Sequence, residues 1–494
     1  MREGVLVKPY ERLEREQLER IHNASLSILR DPGIVSYNRE ATDIFKENGA
    51  EVYSRGSYWQ ISIPEWLVEG SVKLAPSVIK LGARDKENTL ILDGNEPRVR
   101  FGTGSESNVI LDIEVEEFVS ERTGGKRRFP VFHRRRGTVR DLCEAAHLCE
   151  HLQNVDFFIR TVNIQDEDIT NDNKDVNKFY ASLNNLQKHV MAGLTNVKKL
   201  DEVIRMAEII SGGRGREEPI VSFITCATKS PLQLVDDTTQ NLIEIAKSGY
   251  PVSISTSPQG GSTAPLQEAG LLAQLNAEIL AGIVLAQLVR KKTPVLYGSV
   301  PLRVRMDTLD NMYGAPETNL YNIGAVQMAR FYGIPCYSTA GIGDSKFPGI
   351  EASVNKQLSH LYIALSGAQY IHYAFGLLEG TNTFSPEQAI LDDVHVGIIK
   401  SLLKEQRIEK EIGEGLKEIR EVMGTSHKMF TRYTRKYLRK GGFVPFYPYE
   451  GDANETLIQV KERKEALVSA PVEEIPVDVK KELFQEFDIL DRIK

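Results

Sequence analysis

The chain has 494 residues, 41% of them hydrophobic, enough for one large core with an added segment or for two to three smaller ones. Its 68 acidic residues outnumber 61 basic ones for a formal net charge of -7, which argues against bulk neutralisation of nucleic-acid phosphates. The apolar run 281–289 is far short of the roughly 20 residues of a membrane span, no leader pattern opens the chain, and four cysteines in this length fit a reducing compartment, so the expectation is a cytoplasmic protein with neither membrane nor nucleic-acid partners.

Taken in order, apolar residues at helical spacing over 13–29 and 43–48 precede Gly49, which stops the pattern. The period then changes: Val52-Tyr53 and the run 58–63 flank Arg55-Gly56 as a hairpin, and Pro64 opens a helix over 64–74. Residues 1–97 read as an N-terminal α+β extension. From Arg98 short β-rich runs at 99–103, 155–162, 189–192, 219–225, 251–256, 294–298, 334–338 and 369–373 alternate with helical patterns. The later helices are expected at 232–248, 269–290, 316–332, 352–366 and 387–404. Eight such units predict an α/β protein whose residues 98–440 close into a (β/α)8 TIM-type barrel. An open dinucleotide-binding sheet has less support, because Gly102-Thr103-Gly104 lacks the third glycine and the following helix, and no phosphate-binding P-loop is present. Residues 441–494 read as a C-terminal arm, beginning with an aromatic and proline cluster at 443–449 and ending in a charged helical stretch at 477–494. It suits packing or homo-oligomer formation.

In such a barrel chemistry gathers where strands end, here at 102–107, 227–231, 257–263, 298–307, 339–347 and 373–380. The stretch 297–397 is rich in aromatics, with Asp307, Glu317, Asp344, Glu379 and Asp392 at the ends of its apolar runs. Ring faces and carboxylates together bind a cation that cannot donate a hydrogen bond. Most aromatics are nonetheless core, because Phe and Tyr bury large areas. Cys143, His147 and His151 share a helical face with the spacing of zinc ligands, but that helix covers the outside of the barrel and no fourth ligand is evident, so no metal is expected. Lys126-Arg127-Arg128 and His133-Arg134-Arg135-Arg136 read as a solvated loop, with steering of an acidic partner as the sharper alternative. Arg303 and Arg305 either pair with a substrate carboxylate or with Asp307. Gln259 to Thr263 reads as turn chemistry. His372 is either a donor to substrate or a buried, satisfied histidine. No Ser/His/Asp or Cys/His pairing is legible, so the chain offers no nucleophile of its own.

One resemblance adds what patterns do not. Ser230-Pro231-Leu232, Gly260-Gly261-Ser262-Thr263-Ala264-Pro265, Ala277-Glu278-Ile279-Leu280-Ala281-Gly282, Met306-Asp307, Tyr313-Gly314-Ala315-Pro316-Glu317, Gly333-Ile334-Pro335, Asp344-Ser345-Lys346, Gly376-Leu377-Leu378-Glu379-Gly380 and Leu391-Asp392-Asp393 resemble, in order, the trimethylamine methyltransferase family. The resemblance implies a methyltransferase that moves a methyl group from a methylamine to the reduced cobalt of a separate corrinoid protein. Cob(I)alamin is then presented by that partner, and no cofactor is permanently bound. Founding members carry pyrrolysine, expected near Ser338-Thr339-Ala340-Gly341-Ile342-Gly343-Asp344, whereas this chain has ordinary residues throughout. Similarity to the pyrrolysine-lacking branch implies a quaternary amine such as glycine betaine, proline betaine or carnitine. On this reading Tyr313, Tyr337, Phe347 and Phe375 form the cage, Glu317 and Asp344 anchor it, and His372 or Arg303 holds a substrate carboxylate. The alternatives are a barrel lyase or decarboxylase independent of corrinoid, and a non-catalytic binder of quaternary amines.

Overall fold

Strands and helices alternate eight times between residue 100 and Leu403 in the computed structural model, which describes residues 2–119, 122, 124–404, 408–439 and 447–493. The strands are β1, reduced to the bridging residues Phe101 and Gly102, then β2 (Phe158–Ile159), β3 (Val190–Ala192), β4 (Val221–Thr225), β5 (Val252–Thr256), β6 (Val295–Ser299), β7 (Cys336–Thr339) and β8 (Tyr370–His372). Each is followed by a helix: α1 (Val139–His151), α2 (Lys174–Asn185), α3 (Leu200–Ser211), α4 (Asp236–Ser248), α5 (Glu268–Val289), α6 (Pro316–Tyr332), α7 (Ile350–Ser366) and α8 (Pro386–Leu403). Strands β2 to β8 form one parallel ladder in chain order. β1 joins its two ends, Phe101 bridging to Ile371 and Gly102 to Phe157. The Gly102 amide donates to the Ile371 carbonyl at 2.9 Å, and the Asp156 amide donates to the Phe101 carbonyl at 2.7 Å. The expected TIM-type barrel is therefore the fold, with all eight expected strand regions in it.

Period-two alternation sorts each strand into a face toward the helices and a face toward the barrel axis. In β4, Phe223 packs edge-on to Phe179 of α2 and Tyr250, while Ser222 points inward to His189. Gly102 is required by this packing, since a β-carbon there would run into the ring of Phe157. The lower end of the barrel is closed by an N-terminal hairpin, Val78–Leu81 against Leu90–Asp93. Its Ile79, Leu81, Leu90 and Leu92 are buried with Phe157, Met191, Leu296, Tyr337 and Tyr370. Burying this apolar face removes the last route by which water would reach the axis from below.

The first helices, Arg15–Arg30 and Glu65–Leu74, pack on α5, which is apolar on every side. A helix hydrophobic all round needs cover all round. α5 is long and apolar enough to cross a membrane, and it is buried inside the molecule.

The basic run is not a loop. Val109–Val119 and Lys126–Arg136 form a long antiparallel hairpin between β1 and α1, from Val109 opposite Arg136 to Val119 opposite Lys126. Four of its cations have carboxylate partners: Lys126 with Glu117, Arg128 with Glu462, Arg134 with Glu379, and Arg135 with both Asp112 and Asp141. The charges that suggested a solvated loop are the cross-strand and interelement pairs of a ribbon. Helix Ala453–Val468 lies against this hairpin, α1 and α8, with Lys464 reaching Glu144 at 2.8 Å. Helices Ile408–Met423, Thr431–Arg439 and Val477–Glu486 complete the C-terminal region. The expected boundary at 440/441, positions 443–446 of the aromatic cluster and Lys494 lie outside the described residues.

Candidate active site

Alternation in β7 and β8 sends Tyr337 and Thr339, and Tyr370 and His372, toward the axis, and these side chains stack into a wall. Phe157 stacks on Tyr370 with centroids 3.4 Å apart, and Tyr370 lies 5.9 Å from Tyr337. Tyr337 stacks on His372 at 3.7 Å, and His372 meets Tyr373 edge-on at 3.9 Å. The wall runs from the closed lower end to the C-terminal ends of the strands, where TIM barrels carry their chemistry. On β4, inward-facing Ser222 is buried, Ile224 is half-buried and Cys226, one step beyond the strand, is exposed. Exposure that rises along one inward face means that the axis opens to solvent at this upper end.

Tyr373 is held in the left-handed backbone region at φ 69°, uncommon for so bulky a residue. That turn brings its ring over β1, where a β-carbon on Gly104 would collide with Cδ1 of the ring. Tyr313 arrives from the loop before α6 and is buried next to Gly380. Asp344, just after β7, fixes that loop: its two carboxylate oxygens each accept a backbone N–H, from Tyr313 and Gly314, both at 2.8 Å. Burial pushes the Asp344 carboxyl up, against those two hydrogen bonds.

The rings and the thiol at the opening are neutral near pH 7. Burial pushes the phenols of Tyr313, Tyr337 and Tyr373 up. Enclosure by the surrounding strand ends also pushes the Cys226 thiol up, although its surface is open to the mouth of the barrel, against the effects of Ser255 and the Arg160 charge. Burial holds His372 well below the usual imidazole range, with Nε2 bonded to the Thr339 hydroxyl at 2.9 Å. Among the described residues, Tyr337 Oη, Tyr370 Oη and His372 Nδ1 are buried without a hydrogen-bond partner. Such atoms in a native interior call for an explanation, and a ligand is one.

Charge enters from the β1–β3 side. Arg160, directly after β2, pairs through Nη2 with Glu106, which follows β1. Burial opposes ionisation of Glu106, but Arg160, Lys178 and Lys174 outweigh it and hold the carboxyl at about 2. Lys178 is itself buried, 2.6 Å from Asp175 and 2.6 Å from the Gly193 carbonyl.

Of the residues singled out from the sequence, Tyr313 and Asp344 meet at the loop before α6, and Tyr337 and His372 stack against each other in the buried wall of β7 and β8. Arg303 and Glu317 pair with each other at 3.0 Å beside α6, and Asp307 pairs with Arg305 at 2.7 Å. Phe375 is buried in the core between barrel and helices. Phe347 is 42% exposed and packs 4.9 Å from Phe132 of the long hairpin. The rings of His147 and His151 lie 5.2 Å apart, with His147 Nε2 bonded to the Ala470 carbonyl, while Cys143 lies toward Asn185. Sequence reasoning did not select Tyr370, Tyr373, Cys226, Glu106 or Arg160. The available signal was an inward phase shared by Tyr370 and His372, and a lone arginine at the end of an apolar strand.

A buried tether sets the upper loops relative to one another. Lys356 Nζ, fully buried in α7, donates to the Gly341 carbonyl at 2.6 Å and meets Asp392 of α8 at 2.9 Å. Asp392 in turn accepts the Gly376 amide at 2.8 Å and the Gln388 side chain at 2.9 Å. The loops after β7 and β8 thus share one ion pair.

The sequence model of the family described as "Trimethylamine methyltransferase (MTTB)" matches residues 5–446 of this chain. Trimethylamine methyltransferase MttB of Desulfitobacterium hafniense (strain DSM 10664 / DCB-2) is 33% identical over 387 residues, 78% of this chain and 73% of that protein. MttB of Methanosarcina barkeri (strain Fusaro / DSM 804) is 32% identical over 402 residues, 80% of this chain and 77% of that protein. Glycine betaine methyltransferase of Desulfitobacterium hafniense (strain Y51) is 28% identical over 445 residues, 90% of this chain and 87% of that protein.

Proposed function

Since the chain belongs to the trimethylamine methyltransferase family and is a methyltransferase, we propose that its methyl donor is a quaternary amine of the glycine betaine, proline betaine or carnitine kind, and that its acceptor is the corrinoid of a partner protein. The observation that carries this reading is an opening walled by neutral rings, at whose rim the ionised carboxylate of Glu106 is tied up by Arg160 and so is not free to act as nucleophile or base. A quaternary nitrogen already carries its positive charge. When its bond to a methyl carbon breaks, the bonding pair stays on nitrogen and a neutral tertiary amine leaves, so no acid has to protonate it. The docked corrinoid supplies the electron pair that takes the methyl.

What remains for the protein is positioning. The rings of Tyr373 and Tyr313 attract the ammonium through their quadrupoles, and Tyr337 backs them from inside the stacked wall. The closed lower end excludes water from one side, and the stacked wall limits how the donor can turn, which is the larger part of an orientation effect. Transfer consumes the positive charge, so a ring of carboxylates would hold the substrate better than the transition state and slow the reaction. One carboxyl at the loop of Tyr313, tied to two amides, suits that limit. The relatives' names divide between trimethylamine and glycine betaine, and the ordinary residues over 338–344 favour the second kind.

The test mixes the purified chain with cob(I)alamin and, one at a time, glycine betaine, proline betaine, carnitine and trimethylamine, following formation of methylcobalamin by absorbance. Methylation with at least one quaternary amine and none with trimethylamine is expected. Methylation from trimethylamine alone would overturn the donor class.

A further inference from the structure

The two sides of the upper opening differ in charge. On the β1–β3 side Arg160, Lys174 and Lys178 face only two carboxylates, Glu106 and Asp175, a surplus of one positive charge. Across from them the carboxyl is Asp344, at the loop of Tyr313. Between these poles stand Tyr373 and His372. A donor carrying only a positive charge would meet a like-charged side, and the low dielectric of a partly buried site sharpens that cost. A donor with a carboxylate at one end and an ammonium at the other is complementary to both sides.

Arg160 has the hydrogen-bonding capacity to meet that carboxylate. Its guanidinium carries five N–H donors in a planar fork. Nη2 serves Glu106, whereas Nε is buried and has no partner among the described residues. The group lies over Gly193 at the end of β3, where an added β-carbon would sit 3.5 Å from Nη2. Glu106 sits two residues beyond Gly104, and Gly104 lies under the ring of Tyr373, so guanidinium and ring come from the ends of β2 and β8, the two strands that flank β1. Arg303 is paired with Glu317 at the start of α6, on the far side of β6 from the Arg160–Glu106 pair in strand order.

Resting on the quaternary-amine reading above, we infer that Arg160 reads a carboxylate on the methyl donor and that Glu106 holds the guanidinium in place until that carboxylate arrives. The site therefore accepts zwitterions and discriminates against donors that bear the positive charge alone.

Isothermal titration calorimetry of the full chain without corrinoid tests this with glycine betaine, proline betaine and carnitine against choline and tetramethylammonium. The wild type should bind at least one zwitterion about 30-fold more tightly than tetramethylammonium, the scale of one charge-assisted pair. Arg160→Gln should lose about 30-fold on that zwitterion and leave tetramethylammonium unchanged or tighter. Glu106→Gln, which removes the competing carboxylate, should bind the zwitterion about threefold more tightly or better, a gain that a misfolded variant cannot give. Equal affinity of the wild type for zwitterions and tetramethylammonium, or an equal loss on both in Arg160→Gln, would overturn the role of Arg160 while leaving the quaternary-amine reading intact. Failure of all five compounds to bind the wild type would instead sink that underlying reading.

Discussion

Replacing Asp392 by asparagine removes one charge from the tether between the loops after β7 and β8. In the native protein Lys356 Nζ has the Gly341 carbonyl at 2.6 Å and the Asp392 carboxylate at 2.9 Å, and both side chains are fully buried. Burial already pulls the Lys356 ammonium below its usual range, with Asp392 working against that shift. In Asp392→Asn the ammonium keeps a carbonyl and an amide oxygen but loses its counter-charge, and breaking a buried pair in this way costs about 3–5 kcal/mol. Unfolding entropy near 60 °C is about 2.1 cal/mol/K per residue, or about 1 kcal/mol/K for a chain of 494 residues. Tm should therefore fall by about 3–5 °C in a circular-dichroism melt. Because Gly341 and Gly376 hang on the same pair, kcat/KM should fall about tenfold or more, equivalent to about 1.4 kcal/mol at the transition state. The double variant Lys356→Met with Asp392→Leu replaces the pair by apolar volume and should recover most of the stability without the activity. A melt of Asp392→Asn within 1 °C of wild type, at unchanged kcat/KM, would refute the reasoning.

Two further outcomes are expected. Tyr373→Leu, which removes a ring from the opening, should raise KM for the donor about 5- to 30-fold, the value of a cation–π contact of about 1–2 kcal/mol. Phe347→Ala, which removes only a ring packed on Phe132, should leave KM within about twofold; the same KM change in both would remove Tyr373 from the binding site. Stability should decline in mild acid. Burial holds His189 down at about 4 and His360 and His372 well below their usual range, so the folded chain leaves them neutral while the unfolded chain takes up protons below about 6.5. Stability is thus full above that pH and falls through the window from about 6.5 toward 4, by about 1.4 kcal/mol per pH unit for each histidine. Urea midpoints at pH 7 and 5.5 read this directly, and a midpoint that does not move would show that these imidazoles are not neutral in the fold.

The barrel was legible because its strands are apolar runs bounded by breakers and spaced by helical patterns, a signal strong enough to place even 99–103, whose pairing amounts to two bridges. The hairpin of 109–136 was not, because a ribbon stabilised by ion pairs with residues far along the chain, such as Arg128 with Glu462, carries the composition of a loop. Within the site, Tyr337 and His372 could be found from their places at strand ends. Phe375 lies three residues beyond His372, an odd offset that period two sends outward into the core, whereas Tyr373 departs from the alternation because its φ of 69° turns its ring to the opening. Arg303 looked available only while Glu317 was taken for an anchor, and their pairing depends on how the start of α6 meets the segment Leu302–Val304. Arg160 belongs to no motif. Its meaning comes from Glu106 more than fifty positions earlier, a proximity that only the closed barrel creates.

The hairpin packed on the lower end of the barrel closes that end of the interior, so that the upper end is where the axis meets solvent. On the function proposed above, a donor would then have to be inside before a protein-bound acceptor settles over the upper end, and the demethylated amine would have to wait for the acceptor to withdraw. Sequence of arrival and departure is thereby written into the architecture, not into any gate.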